Sequence, residues 1–147
     1  MLHGIALALA IASVDVPSAA EVADALWNEW AATIEEQGWT HIGDSNRSIV
    51  FVRAAPQYGQ HKRTWVRYEI WGDNDESDAD DGSSMVALSE VDCSQGRTRT
   101  LQLVGYSENN LRGGDRSINY DQPTWSFAVP GSMEAAVVER TCGLQGK

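Results

Sequence analysis

The sequence predicts an α+β domain: a five- to six-stranded antiparallel sheet with a C-terminal helix and an N-terminal amphipathic helix. Three observations lead to this class. Two central segments are rich in β-branched and aromatic residues, a Gln-Gly turn separates two further strand-like segments, and a last alternating segment runs into a capped helix. The chain of 147 residues, 42% of them hydrophobic, is long enough for one domain with its own core.

Residues 1–20 resemble a secretory signal peptide, with an apolar run near the start and small residues before Glu21. The flank Met1–His3 lacks the usual Lys or Arg, so an apolar tail or a misplaced start codon stays open as the alternative. The run is too short to span a bilayer, and no later segment is long enough. We expect a periplasmic or secreted protein whose single domain covers residues 21–147.

An amphipathic helix is predicted from Ala20 to Gln37, and Gly38 is a natural stop for it. One face carries acidic and amide side chains, and the other carries large apolar ones at helical spacing. An aromatic stripe of this kind is most often core packing, so we expect it to cover the sheet. The stripe consists of Val22, Leu26, Trp27, Trp30 and Ile34.

Strands are predicted after this helix. Trp39–Ile42 is a possible short strand, while Ser48–Ala54 and Arg63–Trp71 are the clearest ones because they are rich in β-branched and aromatic residues. Pro56–Gly59 is predicted as a loop between them. Turn residues throughout Asn109–Pro123 predict a long loop there.

Large aromatic side chains alternate with arginine along one face of the segment Arg63–Trp71. Trp65, Arg67 and Trp71 share this face because alternate residues of a strand point the same way. Such a surface can stack on a ligand, and a solvated or dimer-facing sheet surface is the alternative. We hypothesise that Trp65, Arg67 and Trp71 form the binding face of the protein.

The segment Gly72–Ser84 carries six acidic residues. Asp73, Asp75 and Ser77 fit the first three ligand positions of a calcium-binding EF-hand loop. However, Asp78 stands where that loop needs Gly, and Ser84 stands where it needs Glu. A solvated hairpin loop is the main interpretation, since runs of like charge usually face solvent. Irregular calcium binding stays open.

A hairpin is predicted from Met85–Ser94 and Arg97–Ser107, with Gln95–Gly96 as a two-residue turn. This register opposes Asp92 to Arg99 as a cross-strand ion pair. It places Val91, Cys93, Thr98, Thr100 and Val104 on the side of the C-terminal helix, and Leu88, Leu101 and Leu103 on the other side.

Alternation in Trp125–Val129 predicts a last strand, which Pro130 ends. A helix follows, with Ser132 as its N-cap, Glu134 in its first turn and Gly143 at its C-terminal cap.

Two stripes of this helix compete to face the sheet. One consists of Ala135, Val138 and Cys142, and the other of Met133, Ala136 and Val137. Periodicity alone does not choose between them. If Cys142 is bridged to Cys93, its stripe must face the sheet, which leaves Met133 and Val137 at an edge or available to a partner.

The two cysteines bear on the compartment, because in an oxidising one they usually pair and in the cytosol they stay as buried thiols. A bridge closing a loop of about 49 residues contributes about 4 kcal/mol in the chain-entropy model.

Charge and motifs exclude several functions. The net charge of −10 and the pI near 4.6 oppose nucleic acid and anionic lipid. His3, His41 and His61 are too widely spaced to predict a metal site, and no cofactor motif is present. We therefore expect no enzyme, although a carboxylate pair such as Glu69 with Glu90 stays open.

The segment Trp65–Cys142 resembles the surface-adhesin protein E-like family of small exported bacterial proteins. The residues that carry the resemblance are Glu90–Cys93, Arg97–Leu101, Tyr106, Trp125, Pro130–Ser132 and Cys142. The resemblance implies an antiparallel sheet, a C-terminal helix tethered by a disulfide between Cys93 and Cys142, dimerisation, an envelope location and binding to host matrix proteins. Unlike the founding type, this chain has no N-terminal cysteine for a lipid anchor, and the likeness is weak before Ser48.

The sequence therefore predicts a non-enzymatic exported binding module, adhesin-like, whose partner is a protein or a matrix component. The resemblance also implies that the protein can form a homodimer. The alternative is a periplasmic small-ligand-binding protein or an enzyme, with a closed pocket between the sheet and the N-terminal helix.

Overall fold

A computed structural model describes residues 31–45, 47–70 and 83–143. Residues 31–36 are helical. The strands are β1 (Thr40–Asp44), β2 (Ser48–Tyr58), β3 (His61–Ile70), β4 (Ser83–Asp92), β5 (Arg97–Glu108), β6 (Arg112–Asn119) and β7 (Ser126–Phe127), and the C-terminal helix is Met133–Cys142. All these strands belong to one antiparallel sheet, so the α+β prediction is correct in outline.

The strands β1 to β6 lie side by side in chain order, and the short β7 pairs with the first residues of β5. The described sheet has seven strands rather than five or six because β6 forms within the predicted loop. Every residue of β6 is exposed, and its sequence contains two adjacent glycines. No apolar alternation marks this strand, which is defined by its pairing with β5. β2 is also longer than predicted and continues through Pro56 to Tyr58.

Both faces of the sheet are packed near its centre. The helix face, defined as the side under the C-terminal helix, has a core of Val50, Val52, Val66, Ala87 and Val137. The opposite side is called the aromatic face, and there Ile34 of the helical residues 31–36 packs with Ile49 and Phe51. Ile34 is fully buried, as the predicted apolar stripe requires.

The C-terminal helix has the predicted caps. The Ser132 hydroxyl accepts a hydrogen bond from the Ala135 amide at 3.2 Å, and Gly143 adopts the left-handed conformation at φ 73°. Cys142 is bridged to Cys93, with 5.7 Å between their Cα atoms. The bridge ties the end of the helix to the turn that follows β4.

The expectation that bridging leaves Met133 and Val137 at an edge is wrong. Val137 and Val138 are both buried, and Met133 packs against the core cluster. The physical reason lies in the position of Cys93, which is an exposed residue of the turn 93–96 and not part of a strand. The disulfide therefore lies at the end of the sheet and leaves the adjacent valines free to face its centre.

The predicted hairpin register is also wrong. The connection is the four-residue turn 93–96, so Asp92 lies opposite Arg97, and Glu90 lies opposite Arg99. The Asp92 carboxylate accepts hydrogen bonds from the Ser94 amide and hydroxyl, at 3.1 and 2.6 Å, which stabilises this longer turn. The ion pair predicted between Asp92 and Arg99 does not form.

The register of the β4–β5 pairing shifts between Leu88 and Ser89. As a result, side chains in the second half of β5 point to the opposite face of the sheet from the one predicted. Beyond it, Leu103 lies opposite Ala87 on the helix face, and Val104 lies opposite Val86 on the other. The predicted sides of Leu103 and Val104 are therefore exchanged.

Several predictions lie outside the described residues. These are the signal peptide, most of the Ala20–Gln37 helix, Trp71 and most of the acidic segment Gly72–Ser84. Within the described ranges, no helix is both long enough and apolar enough to cross a bilayer.

Candidate binding site

The predicted binding residues have different environments. Trp65 is half-buried on the aromatic face, opposite Arg53 of β2 and Leu88 of β4. Arg67, two residues along the same strand, is only 2% exposed. Arg67 therefore does not offer its side chain to an open surface, and Trp71 is not described.

Arg67 belongs to a buried polar network under the aromatic face. Its Nε atom donates to Glu69 Oε1 at 2.7 Å, and its Nη2 atom donates to Asn110 Oδ1 at 3.2 Å. The second oxygen of Glu69 accepts from the Asn109 side chain at 3.0 Å and from the Asn110 amide at 2.9 Å. The network joins the second half of β3 to the turn between β5 and β6, which is about 40 residues further along the chain.

That turn has an uncommon backbone. Asn110 and Leu111 have φ values of 60° and 55°, and the left-handed region is unfavourable for leucine. The Leu111 amide donates to the Ser84 hydroxyl at 3.0 Å, which in turn donates to the Glu108 carbonyl at 2.6 Å. These bonds, with the buried network, hold the Leu111 side chain at the edge of a depression.

This depression, called here the aromatic depression, has a volume of about 460 Å³. Its lining is mostly apolar and aromatic, and Arg53 is the one charged side chain among the described residues that line it. The lining residues are Trp39, Arg53, Ala54, Pro56, Trp65, Val86, Val104, Tyr106 and Leu111. The Arg67 guanidinium lies 5.6 Å from the centre of the Trp39 ring, so the buried network also supports one wall.

Three arginines lie on the sheet near the first residues of β3. They are Arg63, Arg97 and Arg99, called here the arginine cluster. Glu90 lies between two guanidinium groups, at 2.8 Å from Arg63 Nη2 and 2.6 Å from Arg99 Nη2. Burial alone would raise the pKa of Glu90, but the hydrogen bonds from Arg63 and Arg99 outweigh it and hold this pKa below its usual value.

Asp92 and Arg97 form the neighbouring ion pair, at 3.0 Å. The hydrogen bond from Ser94 is the main reason that the pKa of Asp92 falls to about 2, and Arg97 and the Gln95 amide lower it further. Both carboxylates of this cluster are therefore ionised at neutral pH.

Trp125 covers this arginine cluster. The Arg97 and Arg99 guanidinium groups lie 4.8 and 4.5 Å from the centre of its ring, and His61 contacts its edge at 4.9 Å. Tyr58 covers Arg63 in the same way, at 5.0 Å. The strand predicted over Trp125–Val129 is therefore reduced to the two residues of β7, and Trp125 precedes it.

The ionised side chains described above do not form a recognisable catalytic or metal-binding arrangement. The carboxylates of Glu69 and Glu90, the pair left open by the sequence, are both bound to arginine. A general acid needs a raised pKa, whereas that of Glu90 is lowered. In the ranges that the structure covers, no group of three or more His, Cys, Asp or Glu side chains could hold a metal ion.

The described residues thus form an antiparallel sheet with a disulfide-tethered helix and an aromatic surface depression. The family model of surface-adhesin protein E matches residues 39–143, and the chain belongs to this family. No curated protein and no solved structure matches the chain. The family suggests a surface adhesin with an exported or surface location.

Proposed function

We propose that this protein is a non-enzymatic, exported adhesin-like module that binds a protein of the extracellular matrix through the aromatic depression. Family membership supports an adhesive role. The observation that carries the choice of surface is the convergence of Trp39, Trp65 and Tyr106 on one depression with Arg53 in its lining. Tryptophan, tyrosine and arginine are the side chains most enriched at the energetic centres of protein interfaces.

The buried network supports this proposal because it fixes the surface before a partner arrives. Arg67 and Glu69 hold the turn that carries Leu111, and Arg67 packs over Trp39. A rigid surface loses less conformational entropy on binding than a mobile one. In this account Trp65 touches the partner, whereas Arg67 acts only by positioning other groups. A contribution of Trp71 remains part of the proposal.

A small-ligand function is less well supported. The volume of about 460 Å³ is within the range of small-molecule sites. However, such sites combine apolar walls with several convergent polar groups, and Arg53 is the only charged group among the described lining residues.

Export is part of the proposal. A disulfide between Cys93 and Cys142 persists in an oxidising compartment, which agrees with a signal peptide at residues 1–20. Intact mass of the protein from native cell fractions should correspond to a start at Glu21, with both thiols protected until reduction. Full-length protein with two free thiols in the cytosol would contradict export.

The adhesive function is tested with immobilised soluble basement-membrane extract as the probe. The Trp65→Leu variant keeps an apolar side chain but loses the indole ring, so it should bind at least about tenfold more weakly, the usual cost of losing an interface anchor. Tyr120→Leu is the matched control, because Tyr120 is 43% exposed and lies outside the depression. Equal binding by both variants and the wild type, with unchanged melting temperatures, would reject the depression as the adhesive surface.

A further inference from the structure

A second cavity, of about 470 Å³, lies at the free edge of β2. The pairing of β1 with β2 ends at Thr40 and Val52. Beyond that point, Arg53–Tyr58 has no strand on its outer side among the described residues. The cavity lies along this unpaired half of β2, and the last turn of the C-terminal helix forms part of its wall.

The cavity is strongly basic. Arg53, Lys62, Arg63 and Arg140 line it, and none of the described lining residues is acidic. Arg63 is already paired with Glu90, but Arg53 and Arg140 are exposed and make no ion pair with any described residue. At least two cationic groups at this cavity are therefore available to an anion.

A buried hydroxyl adds a second, independent observation. Thr141 lines the cavity, and its Oγ1 atom is buried without a hydrogen-bond partner among the described residues. Buried hydroxyls almost always have such a partner, so we expect the Thr141 side chain to rotate about its Cα–Cβ bond and donate to a ligand in the cavity. The carbonyl groups at the end of a helix disfavour anions, but the Lys62 ammonium donates to the Thr141 carbonyl at 3.4 Å and offsets them.

An added peptide strand is a poor occupant for this edge. Pro56 has no amide hydrogen to donate, and the β2–β3 pairing is irregular between Ala55 and Tyr58. Proline, irregular pairing and charged side chains are the usual devices that prevent strand addition at a sheet edge. Recognition at this cavity therefore depends on its cationic side chains rather than on backbone pairing.

We propose that this cavity binds an acidic oligosaccharide, whose sulfate or carboxylate groups pair with Arg53 and Arg140 and accept a hydrogen bond from Thr141. The cavity is of the size of small-molecule sites, which is far more room than a single sulfate ion fills. Arg53 also lines the aromatic depression, so a ligand passing over it reaches aromatic rings, on which the apolar faces of sugars pack well. The site does not depend on the proposed binding of matrix protein, because Lys62, Arg140 and Thr141 line only this cavity, which shares Arg53 and Ala54 with the aromatic depression.

The overall charge is −10, but the described residues that line the cavity carry four cationic side chains and no acidic one. The local charge therefore favours an anion.

The test is isothermal titration calorimetry with a sulfated heparin tetrasaccharide, in parallel with inorganic sulfate and an uncharged tetrasaccharide of N-acetylglucosamine. The wild type should bind the sulfated tetrasaccharide, and the double variant R53Q/R140Q should bind it about tenfold more weakly because two exposed ion pairs are lost. The control R112Q/R116Q removes the same charge from exposed β6 and should bind like the wild type.

Thr141→Val separates ligand binding from folding. It removes a buried hydroxyl without a partner, so the melting temperature should stay the same or rise, while the tetrasaccharide should bind about threefold or more weakly. No binding of the sulfated tetrasaccharide, an equal loss in R112Q/R116Q, or equal affinity for inorganic sulfate would overturn the proposal. These results would not decide the Trp65→Leu comparison, because Trp65 lines only the aromatic depression, whereas Arg140 and Thr141 line only the basic cavity.

Discussion

Replacement of Arg67 by alanine tests the buried network most sharply. Glu69 is fully buried, and its ion pair with Arg67 has an N–O distance of 2.7 Å. Removing one partner of a buried pair leaves the other charge uncompensated, which costs about 3–5 kcal/mol. With a urea m-value of about 2 kcal/mol/M, the unfolding midpoint should fall by about 1.5–2.5 M. Urea denaturation followed by far-ultraviolet circular dichroism measures this shift.

Two comparisons make the result interpretable. Arg53→Ala, on the same face but exposed, should change stability by at most about 0.5 kcal/mol. The double variant R67M/E69M removes both charges and should recover much of the lost stability, because apolar replacement of a buried ion pair is often nearly neutral. An unchanged midpoint for Arg67→Ala would show that its guanidinium is solvated in solution and would refute the network as the support of the depression.

Three further predictions concern the rest of the fold. Replacing Cys93 and Cys142 by alanine should lower the free energy of unfolding by about 4 kcal/mol in non-reducing urea titrations, since a loop of 49 residues is no longer closed, and equal midpoints would contradict this. Ser132→Ala should cost about 1 kcal/mol in the same assay through loss of the N-cap bond, whereas Ser132→Asp should cost much less. The melting temperature should be nearly constant from about pH 7 to 5 and fall toward about pH 2, because the pKa values of Asp92 and Glu90 are lowered by folding and the unfolded chain binds more protons there. Asp92→Asn should flatten this fall, and an unaltered pH profile would argue against the contribution of Asp92.

The sequence predicts the central strands and the C-terminal helix well because local signals determine them. β-branched residues define β2 and β3, and the cap residues Ser132 and Gly143 define the ends of the helix. The hairpin register is not predicted correctly, because the Asp92 side chain stabilises a four-residue turn in place of the predicted two-residue turn. A Gln-Gly pair alone cannot reveal that alternative.

The candidate site is harder to predict because its parts are distant in sequence. Alternation places Arg67 on the same face as Trp65, but the burial of Arg67 depends on Asn109 and Asn110, about 43 residues further on. β6 contains no apolar alternation and becomes a strand only through its partner. The basic cavity joins β2 to Arg140 at the far end of the chain, and no local pattern connects them.

The most direct test of the central claim is a hydrogen–deuterium exchange footprint of the protein with and without soluble basement-membrane extract. If the aromatic depression is the adhesive surface, peptides covering residues 53–57 and 104–111 should exchange more slowly in the bound state. Peptides from β6, at residues 112–119, should exchange at the same rate in both states. Protection of β6 with no change around the depression would contradict the account and assign adhesion to the exposed sheet edge.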